Sequence, residues 1–107
     1  MIDHLRANLL FDTYGRLLTD RQRQIVQLYL QEDFSLAEIQ EELNISRAAV
    51  QSTVKKSLKQ MEEYEDCLHC ASLQKDVSSF LHKHPEFSSS FPAYLQQEQE
   101  ESLSETD

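Results

Sequence analysis

The segment Ser35-Leu-Ala-Glu-Ile-Gln-Glu-Glu-Leu-Asn-Ile-Ser-Arg-Ala-Ala-Val50 decides the fold. Ser35 stands where a helix N-cap belongs, and Glu38 three residues on completes a capping box, each side chain satisfying a backbone N–H of the first turn. Leu36, Ile39 and Leu43 then recur at helical spacing on one face. Asn44 is a residue that tolerates the left-handed conformation closing a helix, and Ile45 plugs the corner. Ser46 caps a second helix whose Val50, Val54 and Leu58 point inward. Two short helices joined by so tight a turn make a helix-turn-helix, in which the second helix is offered to a DNA major groove. The same unit also serves as a protein-docking fold.

Working outward, the rest of the chain is helical in character. It has 107 residues, one glycine, two prolines and no tryptophan, so breakers are scarce. The expectation is an all-α helical bundle containing the helix-turn-helix, with a projecting helical C-terminal segment. A first helix is predicted from about Asp3 to Leu18, its apolar face built from Leu5, Leu9, Leu10, Phe11, Tyr14, Leu17 and Leu18. Thr19 and Gln22 form a second capping box that opens a helix through about Gln31. The third and fourth helices are predicted at about 35–43 and 46–66. The predicted core comprises Leu10, Tyr14, Leu17, Ile25, Leu28, Tyr29, Ile39, Leu43, Ile45, Val50, Val54 and Leu58.

No breaker follows Ser46 until well past Tyr64, so that helix is expected to reach about Leu73 and project from the globular part. Its stripe of Met61, Tyr64, Leu68 and Ala71 has the 3-4-3 spacing that pairs helices, and predicts a homodimer through the distal segment. Val77, Phe80 and Leu81 extend the apolar pattern until Pro85 stops it. Ser88-Ser-Ser90 reads as a loop, and Pro92 as the start of a short helix over Ala93, Tyr94 and Leu95. The domain reading is thus a helix-turn-helix domain at 1–66, a helical extension at 67–95, and an acidic disordered tail at 96–107.

Charge is distributed unevenly. The net charge is −9, yet residues 1–60 hold eight basic and eight acidic side chains, while residues 61–107 hold two and eleven. Such asymmetry predicts a binding half and a solvating or partner-facing half. Between Leu43 and Met61 there is no acid, and Arg47, Lys55, Lys56 and Lys59 fall there. The candidate nucleic-acid-binding residues are therefore Arg47, Gln51, Ser52, Lys55, Lys56 and Lys59. Arginine and glutamine make paired hydrogen bonds to base edges, and lysines further along meet phosphates.

Other chemistries find little support. Cys67-Leu-His-Cys70 invites a metal reading with His82 and His84, but His-x-His is too close for the usual zinc-finger spacing. On a helix, Cys67 and Cys70 are i, i+3 neighbours on one face, and two inert thiols are expected; no metal or other cofactor is. No Gly-rich phosphate loop, nucleophile elbow or Ser/His/Asp constellation occurs, so no catalytic residue is assigned. Apolar runs fall far short of the ~20 residues that span a bilayer, which predicts a cytoplasmic protein without a membrane span.

Leu18-Thr-Asp-Arg-Gln-Arg-Gln-Ile-Val-Gln-Leu28, Ser35-Leu-Ala-Glu-Ile39, Leu43 and Ile45-Ser-Arg-Ala-Ala-Val50 resemble region 4 of bacterial sigma factors. Leu10-Phe-Asp-Thr-Tyr14 and Met61-Glu-Glu-Tyr-Glu65 narrow the resemblance to the YlxM-like family of small helix-turn-helix proteins. It covers about Leu9 to Glu65. It implies a regulatory role linked to the signal recognition particle, because genes of that family commonly neighbour that of the particle's GTPase. Gln40 stands where the family has alanine, and Gln51 where it has tyrosine. The distal Cys, His and Ser residues are atypical of it. Two functions stay open: a DNA-binding regulator, and a protein-interaction module that binds signal recognition particle components without DNA. An acidic surface suits the second, since it can steer toward a basic one.

Overall fold

The computed structural model describes residues 3–92, and the described residues contain five α-helices, two short 3-10 segments and no strand. The chain divides into two compact units, one through Leu68 and one from His69. The all-α expectation holds.

Helix α1 spans His4–Tyr14, with Asp3 as N-cap accepting from the N–H groups of Leu5 and Arg6. It ends earlier than the sequence suggested. A 3-10 turn at Gly15–Leu17 follows, tightening the backbone and rotating the side chains out of the α-helical register. Leu17 is consequently 55% exposed and Leu18 buried, which corrects the placement of Leu17 in the core. A Cβ at Gly15 would sit 3.0 Å from the Phe11 ring, so a larger residue there requires that ring to shift by a few tenths of an ångström.

Helix α2, Asp20–Leu30, opens with the Thr19/Gln22 capping box, both hydrogen bonds being present. Asp33 adopts a left-handed φ of 60°, and the Phe34 N–H returns to the Leu28 carbonyl, turning the chain into α3. Helix α3 is Leu36–Leu43 and α4 is Arg47–Leu68. The core between α2, α3 and α4 is Ile25, Ile39, Val50 and Val54, with Leu28, Tyr29, Phe34, Leu36, Leu43, Ile45 and Leu58 packed around it. Apart from Leu17, every predicted core position is buried or half-buried.

Polar contacts hold the far half of α4 against α1 and α2. The buried Tyr14 hydroxyl donates to Glu65 Oε1 at 2.6 Å, and Arg6 pairs with Glu62 at 2.8 Å. Gln22 Nε2 donates to Gln60, whose own Nε2 donates to the Tyr64 hydroxyl. Four side chains of α4 are thereby tied to its neighbours or to each other. Helix α4 is thus held against α1 and α2 along its second half.

The continuous helix to Leu73 does not exist. His69 takes a left-handed φ of 55° and ψ of 25°, a conformation in which histidine is several-fold enriched, and α4 stops at Leu68. Met61 is 0% exposed and Ala71 1%, so of the stripe expected in water only Tyr64, half-buried, and Leu68 reach the surface. Cys67 lies in the last turn of α4 and Cys70 opens the next helix, so the two are not neighbours on one helical face.

In the second unit, α5 spans Cys70–Lys83, with Ala71 and Leu81 buried. Pro85 begins a 3-10 segment, Pro85–Ser90, so Ser88–Ser90 is helical rather than the loop expected. The Phe80 ring packs against His84 at 4.8 Å and Phe87 at 5.9 Å between centroids. The predicted helix over 93–95 and the acidic tail at 96–107 lie outside the described residues.

Candidate nucleic-acid interface

The turn of the motif is built by short local bonds. Ser35 Oγ accepts from the Glu38 N–H at 3.1 Å, and Glu38 Oε1 accepts from the Ser35 N–H at 2.9 Å. The Ser35 N–H foremost, and the Ser35 hydroxyl second, hold the Glu38 carboxyl below its ordinary range. Asn44 is left-handed at φ 54°, ψ 49°, and both its N–H and that of Ile45 reach the Gln40 carbonyl. Ser46 Oγ then accepts from the Ala49 N–H at 3.1 Å, starting α4.

The six candidate residues, Arg47, Gln51, Ser52, Lys55, Lys56 and Lys59, are all exposed on α4. Arg47, Gln51, Lys55 and Lys59 stand four residues apart, each turned about 40° from the last, so they form one slanting line along the helix. Ser52 shares this outward face. Lys56 lies about 100° around from Lys55, on the far flank. None of the four cations makes an ion pair with a described residue, whereas Arg6 and Arg23 are both paired. The line is positive and open to an incoming anion.

Beside that line runs an open groove of about 620 Å³. Gln51, Ser52 and Lys55 form its polar rim, and Tyr29, Leu36 and Leu58 its apolar floor. The His4 ring lies 5.3 Å from that of Tyr29. Sequence reading placed Tyr29, Leu36 and Leu58 in or beside the core and missed this outer role. Nothing local signals it, because three helices contribute. Glu65 was missed too, although it falls on the same α4 face as Val50, Val54 and Met61; an acid on an apolar face was the available signal.

Among the described residues no group of three or more His, Cys, Asp or Glu side chains is arranged to hold a metal ion. None of the helices described is long and apolar enough to cross a membrane.

The family described as "Putative helix-turn-helix protein, YlxM / p13 like" matches residues 1–103. A UPF0122 protein of Lactococcus lactis subsp. cremoris is 51% identical over 67 residues, 63% of this chain and 60% of its own length. A UPF0122 protein of Streptococcus suis is 42% identical over 85 residues, covering 76% of this chain and 75% of its own. One from Halalkalibacterium halodurans is 50% identical over 64 residues, 60% of this chain and 59% of its own. The chain thus spans about three-fifths of the first of these relatives. It belongs to the YlxM/p13-like helix-turn-helix family.

Proposed function

We propose that this chain is a DNA-binding regulatory protein, acting as a binder and not as an enzyme. The observation that carries the reading is the line of Arg47, Gln51, Lys55 and Lys59 on consecutive turns of α4, in a stretch with no acid from Leu43 to Met61. A helix in the major groove has phosphates on both sides, so Lys55 suits one strand and Lys56 the other, with Lys59 between them a turn further on. Arg47 and Gln51, at the N-terminal end, have the chemistry to read base edges, and Ser52 to meet a base or a phosphate. The test is fluorescence polarisation of a labelled duplex against the full chain and a variant in which Lys55, Lys56 and Lys59 are all alanine. Equal affinity for the two removes this surface from consideration.

The second reading is a module that binds signal recognition particle components, in the cytoplasm, without DNA. It is favoured by the resemblance to the YlxM-like family and by the excess of acid after Met61. Pull-down with and without nuclease separates the two, since capture of the particle's GTPase that survives nuclease supports this second reading. A homodimer fits the first, because helix-turn-helix domains usually bind paired half-sites. With Met61 covered, its contact would form through the exposed Leu73, Phe80 and Phe87 of the second unit. Sedimentation of a Phe80→Glu variant beside the parent checks this.

A further inference from the structure

We propose that the groove between α2 and α3 is a docking site for a basic, amphipathic helix of a protein partner. The groove holds about 530 Å³. Its floor is the outer surface of Leu28, Phe34 and Leu43, and its rim carries Asp20, Glu32, Glu42 and Arg23. No residue of α4 lines it, so the proposal does not rest on the DNA reading.

Charge selects the occupant. Arg23, the cation on the rim, is already paired with Asp20. The carboxylates of Glu32 and Glu42 make no hydrogen bond or ion pair with any described residue, and Asp33, Glu38 and Glu41 stand exposed nearby. Residues 31–42 hold five acids and no base. Half-buried apolar side chains flanked by two unpaired carboxylates, Glu32 and Glu42, favour a ligand that brings apolar anchors flanked by lysine or arginine. Like charges across such a rim are strongly disfavoured, which excludes a nucleic acid or an acidic peptide.

Shape selects the form of that ligand. The described residues contain no strand, so there is no sheet edge for an extended peptide to join. A helix is about 10–12 Å across, so the groove seats the anchors of one helical face and not the whole helix. Apolar residues at i, i+4 and i+7 reach the floor in that arrangement, with basic residues on either side meeting Glu32 and Glu42.

The experiment uses the full chain and a fluorescein-labelled helical peptide with leucines at i, i+4 and i+7 and flanking lysines. Binding is expected to saturate and to move the amide resonances of residues 27–34 and 42–43. Glu32→Lys with Glu42→Lys should weaken it at least about tenfold, as like charges then face each other. Glu63→Lys with Asp66→Lys changes the net charge equally and should leave binding within about twofold, since those carboxylates lie on α4 and not on the rim. Peptides with glutamine for lysine, or serine for leucine, should bind poorly. Equal loss in the two double variants would reduce the effect to net charge and overturn the proposal. Resonance shifts that miss the groove, or undiminished binding of either control peptide, would overturn it as well. Labelled duplex DNA in the same samples keeps the two surfaces apart, because failure to bind DNA leaves every peptide outcome unchanged.

Discussion

If α4 lies along a DNA backbone, the salt dependence of binding counts its phosphate contacts. Each neutralised phosphate adds about 0.9 to the slope of log affinity against log salt. Lys55, Lys56 and Lys59 are exposed and unpaired among the described residues, so none must break an internal ion pair before meeting DNA. Three such contacts give a slope near −2.7, which lowers affinity about fortyfold between 50 and 200 mM salt. Lys55→Ala should bring the slope to about −1.8 and the loss to about twelvefold. Arg47→Ala, in contrast, should weaken binding most for one base sequence if it reads a base edge. The assay is polarisation of a labelled duplex over that salt range, with circular dichroism confirming that each variant folds. A slope unchanged in the triple-alanine variant, at whatever affinity, refutes the placement of α4 against phosphate.

Three further outcomes follow from the geometry of the motif. Tyr14→Phe removes the 2.6 Å bond to Glu65 between two buried groups, and should cost about 1–2 kcal/mol in urea denaturation with an unchanged m-value. Asn44→Ala forces a Cβ-bearing residue without a local polar side chain into φ 54°, and should cost about 1 kcal/mol, whereas Asn44→Gly should be neutral or better. Thermal melts that rank alanine level with glycine contradict this. Glu38 is held below its ordinary value of 4.5 by the bonds from Ser35, so its contribution is present above that pH and fades as pH falls through the lowered folded value. Glu38→Gln keeps an acceptor but cannot titrate, so melting temperatures of parent and variant should converge in acid and separate above pH 4.5.

The parts legible in the sequence were those that local chemistry decides. Both capping boxes span three residues, so Thr19/Gln22 and Ser35/Glu38 could be read directly and their bonds are present. Asn44 and Ser46 were legible for the same reason. The break at His69 was not, because the apolar spacing of Met61, Tyr64, Leu68 and Ala71 runs through it without glycine or proline. Leu17 and Leu18 exchanged roles because one 3-10 turn shifts the register by a fraction of a turn, which periodicity cannot resolve. At the candidate interface, exposure of Arg47, Gln51 and the three lysines followed from helical spacing alone. The groove beside them did not, since Tyr29 and Leu36 reach it from other helices. The bond between Tyr14 and Glu65 joins residues 51 apart and depends on how α1 crosses α4.

The turn at Asn44 divides the motif by charge as well as by direction. Before it, residues 31–42 carry five acids and no base; after it, the chain to Met61 carries four bases and no acid. In a helix-turn-helix on DNA the first helix crosses the phosphate backbone, and here that helix is α3 with Glu38, Glu41 and Glu42 exposed. Those carboxylates oppose close approach of α3 to phosphate, so attraction through α4 must outweigh them. With a Debye length near 8–10 Å at physiological salt, the two fields overlap only within the width of the motif, and each face acts mainly on what touches it. A weak, salt-sensitive DNA contact on α4 is therefore compatible with a protein contact on the α2–α3 side. Charge separation within one small motif also explains how the chain can carry a net charge of −9 and still present a positive line free of acid.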